Sequence, residues 1–288
     1  MRIANSHLAV EISPLGAELQ AITSPDGANW LWHGDAQWWA GRAPLLFPVV
    51  GKSPANAVTI DGKRYPMQPH GFARRSTFEV GAEKPDRATL TLKASEATRE
   101  SFPFNFVLSV SYVLERTSLL TTVEVANLDA RIMPFSFGFH PAFVWPLPGG
   151  EGKRHFLRLA NADEPRFVQL NADGLILGDA HQSPFHRGEM TLDPSLFGND
   201  ALIFPFGVGS GIVFGAEAGA SIALNWSNLP NFAVWTKPGA PYLCLEPWHG
   251  TAPRMGAGDE MTARPSTVSL PPGETIRFEL RATFNKAG

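Results

Sequence analysis

The sequence of 288 residues predicts an all-β protein, a large antiparallel β-sandwich with few short helices. Apolar and polar residues alternate over 106–114 and over 275–284, as in strands that turn one face to a core. The 27 glycines and 25 prolines favour many short connections and argue against long helices. No repeat, low-complexity segment or linker interrupts this pattern, so we predict a single domain that spans residues 1–288.

The two alternating segments predict the clearest strands, and turn residues such as Asp61-Gly62 and Lys237-Pro238-Gly239 separate further candidates. Helix is expected only in two short pieces, 95–101 and 194–198. The other predicted strands are 89–93, 119–127, 155–159, 201–205, 211–216, 221–226, 232–236 and 241–246.

Composition excludes several classes of function. Hydrophobic residues make up 44% of the chain and charged residues 18%, which indicates a packed globular protein. A net charge of −3 without a basic run argues against nucleic-acid binding, and no apolar run is long enough for a membrane span. Cys244 is the only cysteine, and the first residues lack a basic-then-apolar leader, so we expect a cytoplasmic protein without disulfides.

Glu246 is the first candidate for chemistry. Strand alternation puts Tyr242, Cys244 and Glu246 on one face and the intervening leucines on the other. Pro247 follows and is expected to end the strand, because proline has no N–H to donate. Glu246 would then lie at a strand end where a cleft could begin. The alternative is a solvated glutamate at a sheet edge.

His140 is the second candidate. Ser136, Gly138 and His140 share one strand face, opposite three phenylalanines, and the small residues leave space for a ligand. Pro141 is expected to stop the strand. The alternative is a core histidine whose nitrogens bond to the backbone. An imidazole and a carboxylate together can move protons near neutral pH.

Cationic side chains flank these candidates. His70 and Arg74 lie in a loop rich in glycine and proline that could present both to a ligand, although Arg74 could also form a surface salt bridge. Arg75 is expected to be solvated. The apolar run 43–51 predicts a buried strand between Arg42 and Lys52, and either cation could reach a ligand or extend into solvent.

The remaining candidates have ordinary alternatives. Asp200 precedes a predicted strand, where a turn aspartate is common. Four early tryptophans, including Trp38 and Trp39, are expected in core or rim packing. Zinc-binding spacings, a Gly-x-Ser-x-Gly elbow and a glycine-rich phosphate loop are all missing, so we predict neither a metal nor a cofactor.

Five blocks of the sequence resemble the aldose 1-epimerase (galactose mutarotase-like) family, in particular its bacterial branch. They occur in the family's order and span about 40 to 250. The blocks are Arg42-Ala43-Pro44-Leu45-Leu46-Phe47-Pro48, His70-Gly71-Phe72-Ala73-Arg74, Gly138-Phe139-His140-Pro141, Asp200-Ala201-Leu202-Ile203 and Leu245-Glu246-Pro247-Trp248.

The resemblance implies a β-sandwich with a sugar cleft on one sheet, Glu246 as general base and His140 as general acid. It implies that His70, Arg74 and Asp200 bind sugar hydroxyls or the ring oxygen. Arg42 and Trp248 are further candidates for substrate binding. Pro69 and His249 depart from the family's sugar-phosphate epimerases, as does the position of Arg42. These departures leave the phosphate preference and the role of Arg42 open.

The resemblance also implies the activity, the interconversion of α and β anomers of a hexose or hexose phosphate. The partner would be a small-molecule sugar, and the protein a monomer or homodimer. Three alternatives remain open. They are a non-catalytic carbohydrate-binding domain, a glycoside-cleaving enzyme, and a metal site formed by His70, His140 and Glu246, which lack cupin spacing.

Overall fold

A computed structural model describes residues 1–286 and confirms the prediction of an antiparallel all-β sandwich. One short α-helix, α1, covers Glu96–Arg99, and 3₁₀ helices cover Pro54–Asn56, Ala73–Arg75, Pro194–Phe197 and Met261–Ala263. The strands are β1 (Arg2–Ala4), β2 (Ala9–Ile12), β3 (Leu19–Thr23), β4 (Leu45–Leu46), β5 (Ala57–Ile60), β6 (Lys63–Pro66), β7 (Glu79–Lys84), β8 (Arg87–Lys93), β9 (Phe106–Glu115), β10 (Ser118–Asn127), β11 (Met133–Phe135), β12 (Phe137–Phe139), β13 (Ala142–Val144), β14 (His155–Leu159), β15 (Glu189–Thr191), β16 (Leu202–Phe204), β17 (Gly211–Ala216), β18 (Ser221–Ser227), β19 (Asn231–Trp235), β20 (Tyr242–His249), β21 (Val268–Leu270) and β22 (Thr275–Asn285).

Two large sheets form the sandwich. The nine-stranded sheet has the order β15-β14-β17-β18-β22-β10-β9-β8-β7, and the six-stranded sheet has the order β16-β19-β20-β12-β4, with β13 paired to β20. Every pair of strands in these sheets is antiparallel. Small sheets of two or three strands lie beside them.

One hydrophobic core lies between the two large sheets. Leu108 and Phe278 from the nine-stranded sheet belong to the same buried cluster as Leu243 and Leu245 from the six-stranded sheet. Phe278 also stacks on Phe137 of β12, with ring centroids 4.8 Å apart. Burial of alternate residues on both sheets therefore fixes which face of β20 remains for a site.

The strand predictions agree with the structure in most places. The segments 155–159 and 211–216 match β14 and β17, and the alternating segments lie within β9 and β22. The two predicted helical pieces contain α1 and the 3₁₀ helix at Pro194–Phe197. Ser95 caps α1 by accepting from the backbone N–H of Thr98, which explains why the helix begins there.

The expectation that Pro247 ends its strand is wrong. Strand β20 runs through it to His249 and stays paired with β19, where Phe232 is opposite Pro247. The backbone N–H of Leu245 points to the other side, toward the carbonyl of Pro141. Two residues later, the missing donor of Pro247 faces that same side, at the interruption between β12 and β13. The ladder with β19 is therefore intact.

The apolar run 43–51 is buried over residues 43–50, but only Leu45–Leu46 forms a strand. The carbonyl of Phe47 instead accepts from the N–H groups of Phe72 and Ala73, at 3.0 and 3.2 Å. These bonds attach the run to the loop that carries His70 and replace a ladder to another strand.

Among residues 1–286, no helix is long and apolar enough to cross a membrane. The single domain stays a prediction, and its last two residues lie outside the described range. The oligomeric state and the cytoplasmic location also stay predictions.

Candidate functional site

A cavity of about 330 Å³ opens on the face of the six-stranded sheet that points away from the shared core. Pockets for small molecules commonly have volumes of about 300–1,000 Å³, so a monosaccharide is a suitable size. Six of the seven residues that the sequence predicts for the site line this cavity: His70, Arg74, His140, Asp200, Glu246 and Trp248.

His140 lies in the interruption between β12 and β13, opposite Glu246 of β20. The pairs Gly138–Trp248 and Ala142–Cys244 bracket position 140, and the same register places His140 across from Glu246. Cross-strand neighbours on one face have Cβ atoms about 4.5–5.5 Å apart, so their side chains meet. Nε2 of His140 lies 3.2 Å from Oε2 of Glu246, although the two groups are not aligned as a hydrogen bond.

Burial controls the charge of this pair. Only 2% of Glu246 and 7% of His140 is exposed. Burial raises the pKa of Glu246 well above its usual value, and a lesser contribution comes from the charge of Asp200. Burial likewise lowers the pKa of His140 well below its usual value, assisted by His70 and Arg74. In the sugar-free site, burial therefore favours the uncharged form of both side chains.

Two groups oppose this effect at Glu246. The indole N–H of Trp248 and the charge of Arg74 both lower the pKa of the carboxyl group, the indole more strongly. Within the described residues, Nε1 of Trp248 is buried and has no aligned hydrogen-bond acceptor, although it lies close enough to the Glu246 carboxyl group to lower its pKa. Gly138 makes room for this indole, since a Cβ there would lie 2.4 Å from Cδ1 of Trp248. The space predicted beneath His140 is thus occupied by Trp248.

His70 is held as a hydrogen-bond donor. Its backbone has φ of 63°, and its N–H donates to the carbonyl of Gly51 at 2.9 Å. Nδ1 accepts from the N–H of Gly51 at 3.3 Å, which leaves the proton of the neutral ring on Nε2. Burial, followed by the charges of Arg74, Arg75, Arg264 and Lys52, lowers the pKa of His70 to about 3. His70 is therefore neutral at physiological pH.

The two adjacent arginines have different environments. Arg74 is half-buried at the cavity, where burial and the charge of Arg75 lower its pKa while Glu18 and Glu246 raise it. Arg75 is exposed, as expected, and its Nη1 also donates to the carbonyls of Gly71 at 2.7 Å and Pro69 at 3.3 Å. Arg75 thus holds the shape of the loop, while Arg74 faces the cavity.

Asp200 is at the cavity wall and combines the two predicted roles. Its φ of 72° and the bond from the N–H of Ala201 to its Oδ1 at 2.9 Å are those of a turn aspartate. Asp200 also lines the cavity, where its charge contributes to the raised pKa of Glu246. The turn therefore aims a carboxylate at the site.

Arg42, the seventh predicted residue, does not line the cavity. Its Nε donates to the carbonyl of His33 at 2.7 Å, and its backbone N–H donates to Glu18 at 2.8 Å. Lys52, at the other end of the apolar run, does line the cavity. The sequence offered two equivalent flanking cations, and the fold places only Lys52 at the site.

Two tryptophans at the cavity were not assigned to the site from the sequence. Trp39 was expected in core or rim packing, yet it lines the cavity and stacks on His140 with ring centroids 4.9 Å apart. Trp235 lies edge-on to His140 at 5.9 Å and also lines the cavity. Alternation could have found Trp235, which shares a face with Ala233 on β19, but no periodic signal marks Trp39.

Arg264 supports the wall behind the cavity and was also missed. Only 4% of it is exposed, and its guanidinium donates to Oγ of Ser53 and to the carbonyl of Val50, each at 2.7 Å. These bonds fix the segment that contains Gly51 and Lys52, both of which line the cavity. Burial lowers the pKa of Arg264 to about 10, so it is still charged at neutral pH.

One group of side chains has the composition of a metal site. Potential ligand atoms of His140, Cys244 and Glu246 lie within 4.8 Å of one another. Metal binding requires a thiolate, but burial and the charge of Glu246 raise the pKa of Cys244 well above its usual value. The thiol packs with Trp32 and Tyr242, which suits the predicted apolar role. Burial therefore favours the neutral thiol form of Cys244.

Comparisons with known proteins agree with this fold. The family model described as aldose 1-epimerase matches residues 1–283. Protein LacX (plasmid) of Lactococcus lactis subsp. lactis is 26% identical over 288 residues, which cover 96% of each chain. These matches extend over nearly the whole length of the chain.

Solved structures give the same result. A galactose mutarotase related enzyme from Lactobacillus acidophilus has a TM-score of 0.93 and 28% identity, with 100% of this chain and 97% of that one covered. A galactose mutarotase-like protein from Lactobacillus casei also has a TM-score of 0.93 and 28% identity, with 99% of both chains covered. The chain therefore belongs to the aldose 1-epimerase family.

Proposed function

We propose that the protein is an aldose 1-epimerase that interconverts the α and β anomers of a hexose or hexose phosphate. The observation that carries the proposal is the 3.2 Å approach of His140 Nε2 to Glu246 Oε2 at a cavity of about 330 Å³. An acid and a base at this separation can act on two oxygens of one sugar ring.

The reaction requires one proton to leave the anomeric hydroxyl and one to reach the ring oxygen. Glu246, as carboxylate, removes the proton from the hydroxyl on C1. His140, as imidazolium, donates a proton to the ring oxygen, and the bond between C1 and that oxygen breaks to give the open-chain aldehyde. Rotation about the C1–C2 bond and the reverse transfers close the ring as the other anomer, so no atom is gained or lost.

The uncharged sugar-free pair contains the same number of protons as the reactive pair. Transfer of one proton from Glu246 to His140 across 3.2 Å gives the carboxylate and imidazolium. Arg74 and the Trp248 indole favour the carboxylate. Each positioned proton transfer contributes about 10²–10⁴-fold to a rate, so the pair can supply several kcal/mol.

The other cavity residues suit the recognition of a sugar. Neutral His70 offers its Nε2–H as a donor, and Arg74 offers a planar fork of donors to hydroxyl oxygens. Asp200 accepts from hydroxyl groups, which donate well to a carboxylate. Trp235 supplies apolar surface for the C–H faces of the ring. We assign the binding of substrate to these residues, and we do not assign it to Arg42.

The test follows anomer interconversion by NMR or polarimetry for free and phosphorylated hexoses. Glu246→Gln and His140→Asn should each reduce kcat by about 10²–10⁴-fold while the protein stays folded. Matched controls are Glu11→Gln and His7→Asn, because both residues are exposed and neither lines the cavity. Near-normal activity in either folded site variant would contradict the proposal. Sugar binding without any acceleration by the wild-type protein would instead identify a non-catalytic carbohydrate-binding domain.

A further inference from the structure

The indole of Trp39 covers one face of the proposed general acid. Its ring and the imidazole of His140 are stacked, with centroids 4.9 Å apart and an angle of 27° between their planes. Trp235 meets both rings edge-on, at 5.6 Å from Trp39 and 5.9 Å from His140. His140 therefore lies against two aromatic side chains that come from different parts of the chain.

The loop that carries Trp39 is fixed by several contacts. The N–H groups of Trp38 and Trp39 both donate to the carbonyl of Asp35, at 3.0 and 2.9 Å. Nε1 of the buried Trp32 donates to the carbonyl of Trp39 at 2.8 Å. Gly41 leaves room for the indole, since a Cβ at Gly41 would lie 2.5 Å from Cζ2 of Trp39. The loop is thus shaped to bring this ring onto His140.

We propose that Trp39 is a positioning residue that orients His140 and stabilises its imidazolium form through the face of the indole. This inference rests on the proposed function, in which His140 must carry a positive charge when the sugar ring opens. Trp39 acts through His140, so its main effect is on kcat.

Burial opposes the positive charge that His140 must carry in the proposed reaction, so this charge needs a stabilising neighbour. The groups that face His140 are Glu246 and Cys244 of β20 and, from the loop, His70 and Arg74. Arg74 disfavours an imidazolium, and His70 is neutral, so among these described groups Glu246, when ionised, is the negative partner in contact. A cation over the face of a tryptophan is stabilised most strongly where water is excluded. The stacked indole therefore supplies a stabilisation that the charged neighbours do not.

The first experiment compares Trp39→Leu with Trp39→Phe, because both keep an apolar cover over His140 and only phenylalanine keeps an aromatic face. We expect kcat to fall roughly 5- to 30-fold in the leucine variant and less in the phenylalanine variant, with a smaller change in KM. Trp38→Leu is the control, since Trp38 lies in the same loop against Lys237 and does not line the cavity. A rise in KM with unchanged kcat would overturn the inference, because Trp39 would then only contact the sugar.

A second measurement does not need activity. NMR of histidine side chains in the sugar-free protein should give a pKa of His140 that is higher in the phenylalanine variant than in the leucine variant, by about half a unit or more. An equal or reversed order would overturn the inference. If the wild-type protein fails to speed anomer interconversion, the proposed function fails, and this measurement still decides whether Trp39 stabilises the imidazolium.

A third variant moves the ring without removing it. Gly41→Ala should displace the indole of Trp39, whereas Gly178→Ala is the control, because its Cβ would meet no atom within 4 Å. We expect Gly41→Ala to lower kcat and to shift the His140 ring resonances, as the ring current of the indole moves away. Unchanged resonances and kcat, in a variant whose indole is displaced, would show that the stack has no role.

Discussion

The two large sheets differ in whether their polar side chains have partners. On the nine-stranded sheet, charged residues are on the solvent side and pair with each other, as Arg158 does with Glu189 at 2.8 Å and Arg281 with Glu115 at 2.6 Å. On the six-stranded sheet, polar atoms such as Nδ1 of His140 and Oε2 of Glu246 are buried without a hydrogen-bond partner. Pairs of the first kind contribute little, while unpartnered buried groups lower stability. Three of these atoms, Nδ1 of His140, Oε2 of Glu246 and Nε1 of Trp248, belong to residues that line one cavity, where a ligand would supply partners.

Two buried histidines make the difference concrete. His155 of β14, in the nine-stranded sheet, is 4% exposed, and its Nε2 accepts from the N–H of Leu147 at 3.0 Å. Its Nδ1 lies 3.1 Å from the carbonyl of Lys153, to which it can donate. His140 is 7% exposed, and its Nδ1 has no partner. The alternative considered for His140 was a core histidine whose nitrogens bond to the backbone. That description fits His155.

The largest expected effect is a loss of folding stability at low pH that arises from His70. The pKa of His70 is lowered from 6.5 to about 3 in the folded protein, so below pH 6.5 the unfolded chain binds a proton that the folded protein does not. The stabilising effect of the neutral ring is complete above pH 6.5 and is lost as the pH falls toward 3. Near pH 4 this loss should be about 2–3 kcal/mol, since part of the ring is exposed to the cavity.

Denaturant unfolding of wild type and His70→Asn at several pH values measures this loss. Asparagine tolerates the positive φ of position 70 and does not titrate in this range. The stability of the variant should fall less between pH 7 and pH 4 than that of the wild type. Parallel pH profiles for the two proteins would contradict this prediction, because they would show that His70 has the same pKa in the folded and unfolded chain.

A smaller effect is expected from substitution of His155, which should lower stability and leave activity unchanged. His155→Leu retains the volume but removes the acceptor of the Leu147 N–H, so the free energy of unfolding should fall by about 1–2 kcal/mol. Anomer interconversion should be unchanged, because His155 does not line the cavity. Loss of activity with unchanged stability in His155→Leu would contradict the inference that His155 has only a structural role.

The smallest effect is expected at the exposed ion pairs. Arg281→Ala removes the 2.6 Å contact with Glu115, and both side chains are substantially exposed. We expect the free energy of unfolding to change by less than about 1 kcal/mol, and to depend on salt. A larger loss in thermal or denaturant unfolding would mean that the surface of the nine-stranded sheet contributes more to stability than we infer.

Sequence patterns predicted the fold and the faces of the strands well, because burial follows the period of the backbone. The alternation over 242–246 places Glu246 on the cavity face, and the leucines between lie in the core. The phenylalanines opposite His140 lie in the same core. Such local rules do not identify which strands are neighbours, so the contact between Glu246 and His140 followed only from the family resemblance.

Loop residues were predicted less well, because long-range contacts determine where they point. Trp39 reaches His140 through bonds to Asp35 and Trp32, and no local rule distinguishes it from Trp38. Arg42 and Lys52 flank the same apolar run, and only contacts elsewhere decide which one faces the cavity. Arg264 lies outside every block that resembles the family, so nothing in the sequence indicated its role.

The proline in β20 also limits the alignments open to the strand. A slip by two residues would keep the apolar face inward, so hydrophobicity alone does not forbid it. Such a slip would bring Pro247 opposite Phe137, where a strand needs the N–H that proline lacks. The same slip would leave Glu246 two places away from His140. Pro247 thus disfavours this slipped register and keeps Glu246 across from His140.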